Sequence, residues 1–315
     1  MAAIATGSSS IRRRWVRRLG IAVLALAVLL AIAVYWFFYD NRLPASGSYP
    51  LDIAAIRGAA SRLPGEEART IQVETVSHSL EPRIAMIAGT GWDKIDLVRN
   101  SYRLIFPGGS TILIDTGFDA KDAAAGKVDR FDEAAHRRIL AALDGATHIV
   151  VTHEHLDHIG GLLTSPHLRA LLRRTILNPE QFADTHLAWP SGSRAGFRPT
   201  AYAALLPIAP GVVLVRAPGH TPGSQMIYVR RADGQEYLFM GDTASSADNV
   251  RLQRIRSRLV TDFMGHDDRR AVMLQTMALH RLAAAEPRIA LVPGHDAVAT
   301  DSFVRQGLLS RGFRH

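Results

Sequence analysis

An uncharged run near the N-terminus constrains the fold of this chain more than any other feature. Residues 19–38, "LGIAVLALAVLLAIAVYWFF", are twenty consecutive apolar, aromatic or small residues. A helix of this length, at ~1.5 Å per residue, reaches about 30 Å, which is the thickness of the hydrocarbon core of a bilayer. A buried core helix is usually shorter and carries a polar stripe. The run therefore predicts one transmembrane helix over residues 19–38.

Charge on the two sides of the run predicts its orientation. The twenty residues after it contain only Arg42 and Arg57, whereas the segment before it carries Arg12, Arg13, Arg14, Arg17 and Arg18. Because arginine excess marks the cytoplasmic side, we expect a single-pass protein of the inner membrane with its N-terminus inside and the remainder periplasmic or otherwise extracytoplasmic. A cleaved export signal is the alternative, although the best small-residue cleavage pattern, at Ala45-Ser46-Gly47, lies far from the apolar run.

Composition excludes several classes of protein. The chain has 315 residues and no cysteine, so it forms no disulfides, carries no lipid-modified cysteine and offers no thiolate metal ligands. Its formal net charge is +8, of which five arginines and Asp40 place +4 within residues 1–40. The rest is spread over the exported part, so we expect no nucleic acid partner.

The pattern of short apolar runs predicts one α/β domain after the anchor. We divide the chain into a cytoplasmic basic segment (1–18), the anchor (19–38), a linker (39–50) and a single domain (51–315). Strand-like runs cover 70–76, 83–88, 102–106, 111–115, 147–151, 211–217, 224–230, 235–240 and 288–292, and helical spacing covers 131–143, 161–174 and 248–286. A series of strands followed by strand–helix alternation is typical of stacked α/β layers.

Polar signatures follow five of the predicted strands. The densest is "VTHEHLDHIGG" at 151–161, and the others are Asp115 after "ILI", His220 in "PGH", Asp242 in "GDT" and His295 in "PGHD". Strand-end loops are where α/β folds assemble sites from residues far apart in sequence. We therefore expect these five signatures to meet in one place.

The residue types at these positions favour a metal centre. A catalytic zinc ion takes three protein ligands and keeps an open position, whereas two metals about 3.5–4 Å apart share roughly six ligands and a bridging carboxylate. The inventory that fits a binuclear site is His153, His155, Asp157, His158, His220, Asp242 and His295. Histidine and carboxylate ligands suit two divalent ions, with Zn²⁺ favoured and Mn²⁺ or Fe²⁺ as alternatives.

The motifs "THEHLDHIGG", "ILIDTG", "PGHTPGS", "GDT" and "PGHD" together resemble the metallo-β-lactamase-fold hydrolases over roughly residues 70–300. The resemblance implies an α/β fold with a four-layer αββα sandwich. It implies that one metal binds His153, His155 and His220, and that the second binds Asp157, His158 and His295. Asp242 would bridge both metals, and Asp115 would lie behind the ligands and order the histidine loop.

The same resemblance implies hydrolysis of a small-molecule substrate. Hydroxide shared by two metals would attack a lactone, ester or thioester carbonyl, and Asp157 would receive the nucleophile's proton. True β-lactamases of this fold lack the bridging aspartate, so Asp242 favours the lactonase and glyoxalase II-like branch. Against a close match with the lactonases, Ser245 and Ser246 stand where those enzymes carry a tyrosine shortly after the bridging aspartate.

Other functions stay open at this point. A phosphodiesterase or nuclease of the same fold is the enzymatic alternative, an iron-dependent oxidative enzyme is a further one, and a non-catalytic sensor or scaffold is the non-enzymatic one.

Two insertions bear on the substrate. The segment 178–207 carries Trp189, Phe197 and Tyr202 and is expected to cover the site as an aromatic lid. The arginines at 251, 254, 256 and 258 would recognise a carboxylate or phosphate, or lie on a solvated helix face or against anionic lipid. Glu154 and Leu156 are expected to be bystanders.

Overall fold

The structure, a computed structural model, describes residues 7–314. Residues 1–6 of the predicted cytoplasmic segment and His315 lie outside the described residues. The helices are α1 Gly7–Val34, α2 Ile53–Ala60, α3 Arg83–Met86, α4 Ala120–Ala125, α5 Glu133–Gly145, α6 Leu156–Thr164, α7 Leu168–Leu171, α8 Pro179–Ala183, α9 Ala247–Leu252, α10 Arg258–Val260, α11 Arg269–Ala285 and α12 Ala297–Arg305. Single 3₁₀ turns lie at Pro107–Gly109, Leu172–Arg174 and Gly241–Thr243, and π-helical turns at Tyr35–Tyr39 and Thr261–Gly265.

Twelve strands form two sheets over the described residues. They are β1 Thr70–Pro82, β2 Lys94–Ile105, β3 Thr111–Ile114, β4 Arg130–Phe131, β5 His148–Val150, β6 Thr175–Ile176, β7 Leu205–Ala209, β8 Val212–Arg216, β9 Gln225–Arg230, β10 Glu236–Phe239, β11 Ala290–Val292 and β12 Ser310–Arg311. The first sheet has the order β12-β1-β2-β3-β5-β6, with β4 paired to β1, and the second has the order β11-β10-β9-β8-β7. Strands β3, β5 and β6 are parallel, as are β10 and β11.

Period-two alternation in the strands explains why the sheets stack face to face. In β8, Val212 and Leu214 face the other sheet, whereas Val213 and Val215 face the helices. Strands buried on both faces present an apolar side chain at every position, and this produces three separate cores. One core lies between the sheets, and the other two lie beneath helices on the outer faces. The predicted αββα sandwich is confirmed.

The N-terminal apolar run forms a long helix that stands away from the domain. Helix α1 and the π-helical turn that follows it are continuous, and residues 12–39 are long and apolar enough to cross a membrane by length and composition. Its apolar side chains are exposed, Leu26 by 67% and Leu30 by 62%. A signal sequence near an N-terminus has the same composition. The residues that follow touch the domain, since Asn41 Nδ2 donates to the carbonyl oxygen of Gln253 at 2.9 Å.

Three sequence predictions of local structure are wrong. The strand predicted at 83–88 is α3 and a following loop, because Ile84, Met86 and Ile87 bury themselves without extending the β1–β2 hairpin. The helix predicted at 161–174 stops at Thr164, since Pro166 disfavours helical backbone at Ser165. The helical region 248–286 is interrupted between α9 and α11 by an irregular segment.

Candidate metal centre

Five strands deliver the predicted polar residues to one end of the sandwich. Asp115 follows β3, His153 follows β5, His220 follows β8, Asp242 follows β10 and His295 follows β11. All seven predicted metal ligands fall into three overlapping groups whose ligand atoms lie within 4.8 Å of one another. The structure therefore brings the strand-end signatures together in one place, as the sequence predicts.

Three histidine nitrogens form a nearly equilateral triangle. His153 Nε2 lies 3.1 Å from His155 Nδ1 and 3.2 Å from His220 Nε2, and the third edge, from His155 Nδ1 to His220 Nε2, is 3.0 Å. Ligands bonded to zinc at ~2.0–2.1 Å in a tetrahedron stand about 3.3 Å apart. The triangle thus has nearly the size that three histidines take around one zinc ion.

A second group lies beside the first. His158 Nε2 is 3.4 Å from His295 Nε2, and Asp157 approaches both, at 3.9 Å from His158 Nε2 and 3.6 Å from His295 Nε2. Asp157 sits in the first turn of α6, where a negative charge is favourable. Two imidazole nitrogens and one carboxylate are a donor set suited to a divalent transition metal.

The carboxylate of Asp242 lies between the two groups. Its Oδ1 is 2.8 Å from His295 Nε2 and 3.5 Å from His158 Nε2, while its Oδ2 is 3.6 Å from His220 Nε2. Gly294 permits this approach, because a Cβ there would stand 2.5 Å from Asp242 Oδ1. One oxygen therefore faces each group, an arrangement in which a carboxylate can bridge two metals.

The tautomer of His295 provides a test of whether a cation fits. His295 Nδ1 lies 2.9 Å from the carbonyl oxygen of Val98 and donates to it, so in the neutral ring Nε2 carries a lone pair. That lone pair faces Asp242 Oδ1, a buried oxygen that receives no hydrogen bond within residues 7–314. Two such atoms at 2.8 Å repel unless a proton or a metal ion lies between them, and the surrounding imidazole and carboxylate groups are a donor set that suits a metal. The residues present therefore fit a divalent metal ion.

Asp115 holds the histidine loop from behind. Its Oδ1 accepts from the Thr152 amide at 2.7 Å, and its Oδ2 accepts from His158 Nδ1 at 2.9 Å. Its backbone is left-handed, with φ of 56°, a conformation that aspartate tolerates better than most residues. A carboxylate that accepts from the remote nitrogen fixes the ring so that the other nitrogen faces the metal.

A buried ion pair that was absent from the sequence prediction orders His220. Asp267 Oδ1 lies 3.3 Å from His220 Nδ1, and Asp267 Oδ2 accepts from Arg256 Nη2 at 2.7 Å. Arg256 Nη1 also donates to Asp242 Oδ2 at 3.2 Å. Burial would raise the pKa of Asp267, but Arg256 and His220 offset this and hold the pKa below its ordinary value. Asp267 therefore stays ionised, and His220 Nδ1 lies against both Asp267 Oδ1 and Arg256 Nη2.

The four arginines at 251–258 do not act as a set. Arg251 is exposed and pairs with Asp248, and Arg254 donates to the carbonyl oxygen of Ala88. Arg258 pairs with Asp40 just after the apolar N-terminal helix, and of the four only Arg256 reaches the metal-ligating groups. The segment is extended between α9 and α10, so neither a shared substrate-binding face nor a single solvated helix face is present.

Glu154 is not the bystander that the sequence suggested. It is buried, with 2% of its surface exposed, and its Oε2 accepts from Thr221 Oγ1 at 2.9 Å while its Oε1 accepts from the Gly223 amide at 3.0 Å. These bonds join the loop of His153 and His155 to the loop of His220. Leu156 stays exposed at the edge of the site.

The expected aromatic lid is also wrong. Trp189 and Phe197 pack with Phe182 against the helix-covered core of the first sheet. Tyr202 donates to Gln225 Oε1 and packs against the core between the sheets. The segment 178–207 therefore packs these aromatic side chains against the cores of the fold.

A sequence comparison decides the family. The sequence model of the metallo-β-lactamase superfamily matches residues 95–295, which contain every one of the seven candidate ligands. The chain belongs to the metallo-β-lactamase superfamily. As a member of it, the protein is a metal-dependent hydrolase. No curated protein sequence matches the chain.

Solved structures of metallo-β-lactamase-fold proteins share the architecture. A quorum-quenching N-acyl homoserine lactone lactonase is 17% identical with a TM-score of 0.58, over 76% of this chain and 97% of that one. A probable metal-dependent hydrolase from Staphylococcus aureus is 14% identical with a TM-score of 0.53, over 73% and 91%. A dizinc quorum-quenching lactonase, in complex with a product, is 14% identical with a TM-score of 0.50, over 76% and 92%. At these identities the likeness establishes the fold.

The Arg256–Asp267 pair gives a prediction for this superfamily member. Replacing Arg256 by Met leaves Asp267, whose side chain is fully buried, without its cation, and we expect a loss of about 3–5 kcal/mol in the free energy of unfolding. In the double variant Arg256→Met/Asp267→Asn both charges are absent, so part of this loss should return. Thermal unfolding in detergent measures both, and Arg251→Met is the exposed control. Additive losses in the double variant would show that the two side chains are not coupled.

Proposed function

We propose that this protein is a membrane-anchored, extracytoplasmic hydrolase with a binuclear metal centre, which cleaves a lactone, ester or thioester. The single observation that carries the proposal is the position of Asp242, with one carboxylate oxygen toward each of two groups of ligands. Three histidines are enough protein ligands for one catalytic zinc ion, so a buried carboxylate that also faces a second group of ligands favours two ions.

The proposed ligands follow from the two groups. His153, His155 and His220 would hold one ion, Asp157, His158 and His295 would hold the other, and Asp242 would bind both. The two ions are most compatible with Zn²⁺, and Mn²⁺ or Fe²⁺ have the same donor preferences within this set. When bound, such ions supply a nucleophile from water at neutral pH and polarise the carbonyl oxygen of the substrate.

The chain's own residues place charges and protons around the reacting carbonyl. Burial raises the pKa of Asp157, but His158, His295 and Arg99 offset this and hold its pKa below the ordinary value. Asp157 is therefore ionised at neutral pH, and we assign it the role of receiving the nucleophile's proton and passing it to the leaving group. Asp115 keeps His158 in a fixed tautomer by accepting from Nδ1, and Asp267 and Arg256 hold the ring of His220 in position at its Nδ1.

Two observations support a carboxylic acid derivative as the substrate. Asp242 occupies the position that true β-lactamases of this fold fill with cysteine or serine. In addition, the solved structures that share the fold include an N-acyl homoserine lactone hydrolase with its product N-hexanoyl-L-homoserine bound at the catalytic metal centre. We extend only the chemical class from that enzyme, since the identity is 17%. Ser245 is buried beside the site. It is one of the two serines that stand where the lactonases carry a tyrosine.

A substrate panel tests the reaction class. The full-length protein, purified in detergent and loaded with zinc, is assayed with lactones, carboxylic esters, thioesters and bis(p-nitrophenyl) phosphate. We expect carboxylic substrates to be cleaved with higher kcat/KM than the phosphodiester. Faster turnover of the phosphodiester would establish the phosphodiesterase instead, and no turnover of any carboxylic substrate by fully loaded protein would reject the proposed chemistry.

The two metal sites should differ in their response to pH. Burial, together with neighbouring histidines, lowers the pKa of His153 and His155, to about 4 for His155. Burial alone would lower the pKa of His158 as well, but Asp115 and Asp157 raise it well above the ordinary value. Since metals bind neutral imidazole, protons compete for His158 near neutral pH and for the three-histidine group only in more acidic solution.

We therefore expect acidification to remove the metals in order. Zinc content after dialysis should fall from about two to about one per chain between roughly pH 7.5 and 5.5, with the remaining ion on His153, His155 and His220. Metal analysis gives the stoichiometry, and the His155→Ala variant shows which ion stays. Loss of both ions in one step, or earlier loss from the three-histidine group, would contradict the prediction.

A further inference from the structure

The irregular segment between α9 and α11 connects the anchor directly to the metal centre. We call residues 256–267 the bridging loop. It starts at Arg256, which contacts Asp242, and ends at Asp267, which contacts His220. Its middle lies against the end of the anchor, where the ring centroid of Phe263 is 5.5 Å from that of Phe37. The same short loop thus touches both the candidate metal ligands and the apolar N-terminal helix.

Chain geometry sets how far apart these two regions can be. Arg256 and Arg258 are two residues apart, and consecutive residues advance by at most ~3.6 Å, so their Cα atoms lie within about 7 Å. Arg258 Nε donates to Asp40 Oδ2 at 2.7 Å, and its guanidinium lies 4.9 Å from the ring centre of Trp36. The metal centre is therefore close to the anchor's end, separated from it by the side chains of Arg256 and Arg258 and the short backbone between them.

Several contacts fix the direction in which the domain faces. Asp40 is buried and paired with Arg258, and Arg269 Nη2 donates to its carbonyl oxygen at 3.1 Å. On the other side, the amide of Gly89, in the β1–β2 loop, donates to the carbonyl oxygen of Phe38 at 2.8 Å. A helix end clamped by two loops does not act as a free tether, so the orientation of the anchor determines that of the site.

The two loops that clamp the anchor carry exposed apolar side chains next to it. Met264 is 73% exposed, Trp92 57% and Phe263 56%. The Trp92 ring centroid lies 5.0 Å from that of Phe38, so the patch continues the aromatic end of the anchor. Single exposed apolar residues are ordinary, but a patch that continues an apolar helix has a physical partner in the bilayer, where aromatic residues favour the interface.

We infer that the side of the domain carrying Trp92, Phe263 and Met264 faces the lipid surface, with these three side chains in the interfacial layer and the metal centre close behind them. Met264 is three residues from Asp267, so its Cα lies at most about 11 Å from that of a residue touching His220. The site would then take amphiphilic acyl esters or lactones whose chains dissolve in the bilayer. This inference rests on the proposed function, both for the anchor and for the hydrolysed bond.

Because the chain has no cysteine, single cysteines can be labelled with an environment-sensitive nitrobenzoxadiazole dye. The test uses the full-length protein in vesicles of phosphatidylethanolamine and phosphatidylglycerol that contain lipids with a nitroxide near the headgroup and lipids with a nitroxide deep in the acyl chain. Met264→Cys reports on the bridging loop, and Trp92→Cys reports independently on the β1–β2 loop. Leu26→Cys, within the apolar helix, is the control for insertion. Leu63→Cys is the aqueous control. Leu63 follows α2, whose end contacts the turn before β8, whereas His220 follows the other end of β8. Position 63 is therefore on the side of the domain away from the metal centre.

We expect the dye at positions 264 and 92 to be quenched about fivefold more strongly than at position 63, and comparably to position 26. Quenching at 264 and 92 no greater than at 63, with strong quenching at 26, would overturn the inference and leave the proposed function intact. Weak quenching at 26 as well would overturn the anchor and the inference together. Hydrolysis of a soluble short-chain ester by the wild-type protein in the same vesicles tests the proposed reaction separately.

Discussion

Replacing Asp242 by alanine is expected to lower kcat/KM by about a thousandfold or more, because several kcal/mol of charge stabilisation depends on both metals being held together. The carboxylate is the one group with an oxygen toward each group of ligands. Without it, two divalent cations would lose the carboxylate that offsets their mutual repulsion. The variant should therefore also bind fewer metal ions, about one per chain at zinc concentrations that saturate the wild type.

The isosteric Asp242→Asn variant separates charge from shape. It keeps the volume and one oxygen, so retained folding with lost activity would assign the effect to the negative charge. Asp233→Ala removes an exposed aspartate on the β9–β10 turn and should leave both activity and metal content unchanged. Metal analysis and steady-state kinetics on the same samples provide the measurement. Two bound metals with kcat/KM within tenfold of wild type would refute the bridging role of Asp242.

Replacing Asp115 by alanine is expected to weaken both folding and metal binding. The amide of Thr152 and His158 Nδ1 would lose their acceptor in a buried setting, and each buried unpaired donor costs about 1–3 kcal/mol. Alanine at φ of 56° adds roughly 1–2 kcal/mol of backbone strain. The thermal midpoint should fall by about 10 °C. Loss of the partner of His158 should lower zinc affinity about 10- to 100-fold.

Asp119→Ala is a matched control for this prediction. Asp119 lies on the same loop and caps α4 by accepting from the Asp122 amide at 2.8 Å. Loss of that cap costs about 1 kcal/mol and does not involve a metal-ligating histidine. Zinc affinity should therefore separate the two variants even where their thermal midpoints are similar. An Asp115→Ala protein with wild-type zinc affinity would show that the His158 contact has no role in the centre.

Much of the site could be predicted because its residues follow strands. A strand is recognisable from its apolar run, and the carboxyl ends of neighbouring strands meet in space, so Asp115, His153, His220, Asp242 and His295 could be expected together. The stacked α/β layers could be predicted for a similar reason, since the mainly apolar strands β8 to β10 require cover on both faces, whereas the αββα order came from the family resemblance.

The residues that were missed lie in irregular backbone. Asp267 and Asp268 are neighbours with different roles, since Asp268 caps α11 by accepting from the Ala271 amide while Asp267 contacts His220. Nothing in the letters "GHDDRR" separates them, because the difference depends on the path of the bridging loop. Arg256 was grouped with three other arginines on the assumption of a helix, and extended backbone instead sends each to a separate partner. Glu154 was missed because the two groups that donate to its carboxylate lie on the distant loop of His220.

Titration of the metal-free, full-length protein with zinc tests the central claim most directly. Metal is removed with a chelator, zinc is added back in measured equivalents, and hydrolysis of the best carboxylic substrate from the panel is followed at each step. A binuclear centre on the seven ligands predicts that activity saturates at about two equivalents in the wild type, and that Asp242→Ala does not recover it. Full activity in the metal-free protein, or saturation at a single equivalent with Asp242→Ala unimpaired, would contradict the account.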